Sequence, residues 1–261
     1  MSDGLYSNLE EDQGLRSSET EFPSELNFLV VKTGTATILV DAGVGKVERL
    51  PSFNYPEGML IDNLIASGTS PDDIDYVLIS HLHPDHILGL ADQNDERTFK
   101  NAQLVVSRQE WDYWTNSDLF SNDDLRAEFC RLANHCVRPY DASIRLVGDG
   151  EEVVSGVKAM LTPGHSAADM TFLFESEGEV LAAIGDLSHH YVFESAHPEW
   201  FFSLLFDEAP QLAVQSRRSA YSEFVKLDAK IIACHFPWPG TGRFKIGTET
   251  NEEFQFVQET F

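Results

Sequence analysis

The stretch that decides the fold of this chain is His81-Leu82-His83-Pro84-Asp85-His86. It directly follows Ile74–Ser80, an apolar run that predicts a short buried strand. Along an extended chain the first two histidines point to the same side, and the proline helps to turn the backbone before the aspartate and the last histidine. Four potential ligands therefore converge at one strand end. Neutral imidazole and carboxylate together suit zinc and its first-row neighbours.

Three further candidate ligands follow in similar local settings. His165 comes after the apolar run Val157–Leu161 and a Pro-Gly turn. Asp186 ends a predicted hairpin, and His235 follows the apolar run Lys230–Cys234. Sites in layered α/β folds gather just beyond the ends of strands. Together with the first cluster, these three residues make a full ligand set for two metal ions.

Two predicted hairpins share one layout. The first joins Asn27–Lys32 to Thr35–Val40 through a Thr-Gly turn and runs into Asp41. The second spans Met170–Ile184 and runs into Asp186. This weak internal repeat indicates two similar halves, and chance similarity between two hairpins is the alternative that stays open.

Helical and strand patterns alternate through much of the chain. The further predicted elements are strands at Ala102–Ser107 and Lys230–Ala233 and helices at Met59–Ser67, Arg108–Trp114, Asp123–His135 (capped by Ser121 or Asn122) and Gln211–Leu227. Such alternation is typical of α/β or α+β layers. Because no linker is long enough to divide the chain, we treat residues 1–261 as a single domain with an irregular lead-in at residues 1–25.

Composition and charge narrow the class of protein. The 261 residues are 42% apolar and 23% charged, which suits a globular protein, and no run approaches the roughly 20 apolar residues of a membrane span. The formal net charge of −25 disfavours nucleic-acid and anionic-membrane partners. Met1–Gln13 is polar and acidic and does not resemble a secretory signal.

The three cysteines, Cys130, Cys136 and Cys234, form no disulfide pattern and no metal-binding spacing. An odd number of cysteines fits a reducing compartment, so we expect a cytoplasmic protein. Cys234 adjoins His235 and would point the other way in a strand, so we interpret it as a core residue.

The HxHxDH motif at 81–86, with His165, Asp186 and His235 behind it, resembles the metallo-β-lactamase superfamily. That resemblance implies an α/β fold built as a four-layer αββα sandwich of two similar halves. Within the superfamily, the chain resembles the branch of methyl parathion hydrolase and its relatives. Four stretches carry this resemblance: Asn101-Ala102 leading to Glu110-Trp111, Gly185-Asp186-Leu187, His197-Pro198-Glu199-Trp200, and His235-Phe236-Pro237-Trp238-Pro239-Gly240. Relatives usually carry a strand before the Asp-Gly that here is Asp3-Gly4, which leaves open whether the first edge strand is present.

The resemblance also implies roles for the seven ligands. His81, His83 and His165 would hold one metal ion, Asp85, His86 and His235 the other, and Asp186 would bridge them. Two zinc ions are expected, with iron, manganese or cobalt as alternatives, and a metal-bridging hydroxide would be the nucleophile. Asp85 and Asp186 are thereby the expected catalytic residues.

Several residues around this set have open or secondary roles. Asp41 either orients a ligand histidine or caps the Ala42-Gly43 turn. One of Ser188–Tyr191 is expected to contact substrate, without a choice among them. We interpret Trp111 and Trp114 as core, Phe206-Asp207 and Arg217-Arg218 as surface or homodimer contacts, and the following aromatics as lining an apolar cleft: Trp200, Phe201, Phe202, Phe236 and Trp238.

The sequence favours a hydrolase of small neutral esters or lactones, with phosphotriesterase side activity. A β-lactamase is less favoured, because some of those enzymes carry Cys where Asp186 stands. Diiron reductases of this fold resemble HxExD at the first motif, whereas this chain has His83 there. A different class, a non-catalytic binding protein with a vestigial site, would have lost ligands, and all seven are present.

Overall fold

The computed structural model describes residues 25–45, 57–200, 206–248 and 252–259. The chain divides into two compact units. The N-terminal unit comprises Phe28–Leu161 and Ser166–Phe172, and the C-terminal unit comprises the described parts of Met1–Asn27, Thr162–His165 and Leu173–Phe261. Three predictions fall outside the described residues. They concern the irregular lead-in, the presence of the first edge strand, and the cleft residues Phe201 and Phe202. The single domain over 1–261 stays a prediction.

The N-terminal unit contains a five-stranded sheet in the order β1-β2-β3-β4-β5. Its strands are β1 (Leu29–Lys32), β2 (Thr37–Val40), β3 (Tyr76–Leu78), β4 (Gln103–Ser107) and β5 (Ile144–Val147). The predicted first hairpin is confirmed, since β1 and β2 pair antiparallel with Leu29 opposite Val40. The other neighbours are parallel, with Val40 opposite Leu78 and Leu78 opposite Val105. Their inner strands are nearly continuous apolar runs, as buried parallel strands require.

The parallel strands decide where the first ligand cluster lies. β2 ends immediately before Asp41, and β3 ends shortly before His81. Because carboxyl ends of neighbouring parallel strands meet at one edge of a sheet, both residues come to the same edge. An antiparallel hairpin of this unit, outside the five-stranded sheet, joins β6 (Glu152–Val154) to β7 (Val157–Leu161).

The helices of the N-terminal unit are α1 (Leu60–Ala66), α2 (Pro84–Ile87), α3 (Arg108–Trp114) and α4 (Asp124–Val137). The helix predicted at Arg108–Trp114 is confirmed with the same bounds. The predicted cap of α4 was wrong: the residue that caps it is Asp123, whose carboxylate accepts a hydrogen bond from the Arg126 N–H at 3.0 Å. Asp123 adopts an extended backbone conformation, which lets its side chain fold back over the first turn.

The strands of the C-terminal unit are β8 (Met170–Ser176, from Leu173 on), β9 (Glu179–Ala183), β10 (Lys230–Ile232), β11 (Thr241–Ile246) and β12 (Phe254–Gln258). β9 and β10 are parallel, whereas β10, β11 and β12 pair antiparallel in that order. The turn between β8 and β9 has positive φ at Glu177 and Gly178, which is typical of a tight hairpin. β9 and β10 end just before Asp186 and His235 and carry them to one edge.

The helices of the C-terminal unit are α5 (Phe193–Ala196) and α6 (Pro210–Leu227). The helix predicted at Gln211–Leu227 is confirmed and begins one residue earlier, with Pro210 in its first turn. Among the described residues, no helix has the length and apolar character needed to cross a membrane.

We expect Gly89→Ala to destabilise the protein by about 2 kcal/mol or more. A Cβ at Gly89 would lie 2.0 Å from the backbone oxygen of Ala42, the residue that follows Asp41 in the chain. The matched control is Gly34→Ala, because a Cβ at that exposed turn meets nothing within 4 Å and should change stability by less than about 0.5 kcal/mol. Urea unfolding of both variants measures the difference, and equal midpoints would contradict the close approach.

Candidate metal centre

The predicted ligands between His81 and His86 form one buried cluster in the N-terminal unit. His81 and His86 are fully buried, and His83 is nearly so. The ring centre of His81 lies 4.5 Å from that of His83 and 4.1 Å from that of His86. Asp85 Oδ2 lies 4.0 Å from His86 Nε2. The predicted strand was too long at both ends, since β3 spans Tyr76–Leu78 and α2 begins at Pro84.

Asp41 orients two of these imidazoles. Its Oδ2 atom lies 2.9 Å from His86 Nδ1, and it accepts a hydrogen bond from the Ser80 hydroxyl at 2.9 Å. Because the Ser80 hydroxyl donates to Asp41, its oxygen can accept from His81 Nδ1, 3.1 Å away. Of the two roles left open for Asp41, the structure shows the one that orients ligand histidines.

Glu110 holds the backbone of the same loop. This fully buried carboxylate accepts from the N–H of Leu82, between the first two histidines, at 2.8 Å. It also accepts from the Ser166 hydroxyl and from the Ala168 N–H. The Ser166 oxygen in turn accepts from Trp114 Nε1 at 2.8 Å. Trp114 is fully buried, as predicted, and packs against the His83 ring at 5.2 Å.

The C-terminal unit contains a second cluster, centred on Asp186. The Oδ2 atom of Asp186 lies 3.0 Å from His235 Nε2, 3.1 Å from His189 Nε2 and 3.4 Å from His165 Nε2. His165, Asp186 and His189 offer ligand atoms that all lie within 4.8 Å of one another. The structure therefore brings the three predicted ligands of this unit together and adds a fourth residue, His189.

Two of these imidazoles are fixed through their other nitrogen. His165 Nδ1 lies 2.9 Å from Asp207 Oδ1, and His235 Nδ1 lies 3.1 Å from the backbone oxygen of Glu25. Burial raises the pKa of Asp207 to about 6, although the nearby His189 and Arg217 act in the opposite direction. The Asp207 carboxylate is placed to accept the Nδ1 proton of His165.

The segment that carries His165 is also held by the two residues before helix α6 and by the first turn of that helix. The backbone N–H groups of Glu208 and Ala209 donate to the carbonyls of His165 and Gly164. A Cβ at Gly164 would lie 2.1 Å from the Ala213 nitrogen, so only glycine allows this approach. At the other ligand loop, Asn27 Nδ2 lies within hydrogen-bond distance of the carbonyl oxygens of Ala233, Cys234 and Phe236, which flank His235.

The chemistry of this donor set fits metal ions. Acceptors face Nδ1 of both His165 and His235, so a neutral ring that donates to its acceptor turns the lone pair of Nε2 toward Asp186. Lone pairs that face a carboxylate oxygen repel it unless a cation lies among them. Imidazole nitrogen and carboxylate oxygen, with outer carboxylates that fix the tautomer, are typical of zinc sites.

The residues Ser188–Tyr191, among which the sequence left the substrate contact open, have different partners in the turn that follows Asp186. The Ser188 hydroxyl donates to Glu194, and His190 Nδ1 accepts the N–H groups of Val192 and Phe193. Burial lowers the pKa of His190 to about 4, in keeping with a neutral ring that accepts two hydrogen bonds.

His189 alone of these four residues is seen to reach a predicted ligand. Burial opposes its charge, but the negative charge of Asp186 and the hydrogen bond to it raise the pKa of His189 above the ordinary value.

Three sequence predictions need correction. Asp207 and Arg217 are buried, with 5% and 1% exposure, and are not surface contacts, whereas Arg218 is exposed. Cys234 is buried as expected, but it does not point away from the site: its sulfur is within 4.8 Å of ligand atoms of Asp186 and His235. β10 ends at Ile232, so the alternation of an extended strand no longer applies there.

The apolar cleft stays a prediction. Phe236 is buried against Phe256, with ring centres 4.9 Å apart, and Trp238 is 77% exposed. Trp111, predicted as core, is partly exposed.

Comparison with known proteins identifies relatives of this arrangement. The family model of the metallo-beta-lactamase superfamily matches residues 24–235. N-acyl homoserine lactonase AiiA from Bacillus thuringiensis subsp. kurstaki is 28% identical over 219 residues, covering 78% of this chain and 77% of the relative. Together with the two sheets and their helices, these findings confirm the predicted α/β fold.

Two solved structures are similar over most of the chain. One is AidC, a dizinc quorum-quenching lactonase in complex with the product N-hexanoyl-L-homoserine. It has a TM-score of 0.79 and 28% identity, with 91% of this chain and 80% of that chain covered. The other is hydrolase AbOPH of the beta-lactamase superfamily. It has a TM-score of 0.82 and 25% identity, with 98% and 85% covered.

We expect Asp207→Asn to weaken zinc binding by about 10-fold or more, because it removes the charge that fixes the tautomer of His165. The control is Asp95→Asn, which alters a comparable pair, His135 Nε2 to Asp95 Oδ1 at 3.0 Å, on the exposed surface. Competition with a chromogenic chelator measures zinc affinity. If Asp207→Asn binds zinc as tightly as the Asp95→Asn control, Asp207 does not support zinc binding.

Proposed function

Because the chain belongs to the metallo-beta-lactamase superfamily, we propose that it is a dinuclear zinc hydrolase that opens small neutral lactone rings. That it is a metal-dependent hydrolase follows from the family and its lactonase homologues. One observation carries the metal centre: three imidazole Nε2 atoms converge on a single oxygen of Asp186, and the Nδ1 atoms of His165 and His235 face buried acceptors.

The proposed ligand set is the one implied by the sequence. His81, His83 and His165 would hold one zinc ion, Asp85, His86 and His235 would hold the other, and Asp186 would be shared. The hydrogen bonds described above support this assignment. Asp41, through Ser80 and directly, engages Nδ1 of His81 and His86, so that Nε2 is the nitrogen left for a metal ion.

Zinc ions bound by these residues would supply hydroxide at neutral pH and would neutralise negative charge on the substrate oxygen. The chain orients this chemistry. Asp85, beside His86, is proposed to align the attacking water, and the charge of Asp186 holds the ions together. The water oxygen joins the acyl carbon, the bond from that carbon to the ring oxygen breaks, and the ring oxygen leaves with a proton. The product is an open-chain hydroxy acid.

N-Acyl homoserine lactones are the proposed substrate class. The support is that curated relatives are N-acyl homoserine lactonases and that a similar structure holds N-hexanoyl-L-homoserine as a product. A net charge of −25 also favours a neutral ring over an anionic substrate. From the sequence stretches that resemble the methyl parathion hydrolase branch, we further propose phosphotriester hydrolysis as a side activity.

The domain organisation, oligomeric state and cellular compartment proposed for the enzyme follow from its sequence. Residues 1–261 act as one hydrolase domain, as a monomer or a homodimer, on a small-molecule substrate. The reducing cytoplasm is supported by the three cysteines, which the structure leaves unbridged.

Protein purified in excess zinc should hold two ions per chain, and chelation should abolish hydrolysis until zinc is returned. Asp186→Asn should lower activity by at least about 100-fold, because it removes the negative charge proposed to be shared by both ions. This loss would exceed the one typical for a residue that only hydrogen-bonds to a metal ligand. Asp112→Asn on the exposed face of α3 is the control and should leave metal content unchanged. Elemental analysis that finds at most one ion per chain would refute the dinuclear site.

The zinc-loaded protein should hydrolyse N-hexanoyl homoserine lactone faster than an aryl ester, an aryl phosphotriester or a β-lactam in a matched panel. In heavy-oxygen water a single turnover should place the label in the new carboxylate and none in the protein, since water attacks directly. Mass spectrometry detects both fates. Label on an enzyme side chain would refute direct attack, preference for the β-lactam would overturn the substrate class, and an inactive panel would favour a binding protein.

A further inference from the structure

A buried ion pair lies behind the turn that follows Asp186. Arg217 on helix α6 is 1% exposed, and its guanidinium NH1 lies 3.2 Å from Oε1 of the fully buried Glu194. Arg217 also donates through Nε to the carbonyl of Pro198 at 2.8 Å and through NH2 to that of Trp200 at 3.1 Å. Such a pair is costly to bury and is weak support for stability alone, which points to a role in fixing a local structure.

The second oxygen of Glu194 holds three consecutive residues. Glu194 Oε2 accepts from the Ser188 hydroxyl at 3.1 Å, from the His189 N–H at 2.6 Å and from the His190 N–H at 3.2 Å. One carboxylate therefore faces Arg217 with one oxygen and gathers the turn with the other. Hydrogen bonds to an ionised acceptor are short and directional, so they restrict the turn strongly.

The turn held in this way presents His189 to the metal centre. Besides the 3.1 Å contact between Nε2 and Asp186, the His189 ring stacks on His235 with centres 5.0 Å apart and planes 13° apart. It also lies 4.8 Å from the His165 ring. His189 Nδ1 is buried and makes no hydrogen bond with the residues that the structure describes. The imidazole is positioned by its backbone and neighbours, and 12% of its side chain is exposed beside Asp186.

We propose that Glu194 and Arg217 are positioning residues of the hydrolytic site, which fix the turn Ser188–His190 so that His189 lies beside Asp186 and contacts the bound substrate. The inference rests on the proposed function. Arg217 compensates the charge of Glu194, so that the carboxylate stays in place with its free oxygen turned to the backbone. Neither residue touches the substrate, and both act through His189.

The test uses variants that break and then restore the hydrogen-bond pattern. In Glu194→Gln the amide cannot accept on both sides: its NH2 group faces either Arg217 or the N–H donors of the turn. In the double variant Glu194→Gln with Arg217→Met, the amide oxygen is free to face the turn. This double variant should therefore recover most of the rate that Glu194→Gln loses. Glu194→Asp withdraws the oxygen from the turn while keeping the charge, and it serves if the first variant fails to fold.

We expect kcat on N-hexanoyl homoserine lactone to fall by about 10- to 100-fold in Glu194→Gln and in Glu194→Asp, as for a misplaced catalytic group. Zinc content and KM should change little. The matched control is Arg218→Met on the same helix, whose guanidinium pairs with Glu253 and Glu199 on the exposed surface and should leave kcat unchanged.

Histidine-selective ¹⁵N NMR separates this inference from the proposed function. The side-chain signals of His189, assigned with His189→Gln, should move in Glu194→Gln and return in the double variant, in metal-free as in zinc-loaded protein. This readout decides the positioning role even if the wild type hydrolyses none of the lactones. Unchanged His189 signals, or a fall in kcat that follows only the folded fraction, would overturn the inference.

Discussion

The tautomer of the ligand imidazoles is the constraint on which the rest of this structure depends. An imidazole coordinates through a nitrogen that carries no proton, so the other nitrogen must find an acceptor. Asp41 provides one for His86 directly and prepares one for His81 through the Ser80 hydroxyl. Asp41 does so from a backbone with φ of 59°, a conformation that non-glycine residues adopt at a cost. This strained residue lies at the end of β2, close to the loop of predicted ligands. The next residue in the chain, Ala42, is closely approached by Gly89.

Three other buried acids hold neighbouring side chains or backbone through hydrogen bonds in a similar way. Glu110 joins the loop of predicted ligands, through Leu82, to the segment Ser166–Ala168. Asp207 holds His165, and Glu194 holds the turn after Asp186. Each of them is nearly or completely buried, and each meets donors or a compensating charge. A buried carboxylate without such partners would be strongly destabilising. The acidic character of the chain therefore has two parts, one on the surface and one that organises the interior.

Much of the fold could be predicted from the sequence because its signals are local, and the seven ligands are proposals drawn from equally local signals. Histidine and aspartate packed into six residues after an apolar strand leave few alternatives, and the hairpins and helices follow short-range periodicity. Asp207 and Arg217 were misread because their partners lie 42 and 23 residues away in the chain. An acidic or basic residue carries no local mark of burial, since the same composition is typical of a surface. Cys234 was misread for a different reason, because its strand ends two residues before it.

The arrangement around Asp186 also bears on what the protein does without metal. Three Nε2 atoms lie within 3.4 Å of one carboxylate oxygen, and the Nδ1 protons of His165 and His235 are held elsewhere. Each short contact then needs either a proton on Nε2 or a cation between the atoms. Protons and the proposed zinc ions would therefore compete for the same positions, and metal binding would release protons. The outer acceptors would bias this competition toward metal, because they stabilise rings that are already oriented with Nε2 inward. A rigid set of partners on the far side of each ring also lowers the entropy that coordination would otherwise remove, so the proposed site would be built in advance of its ions.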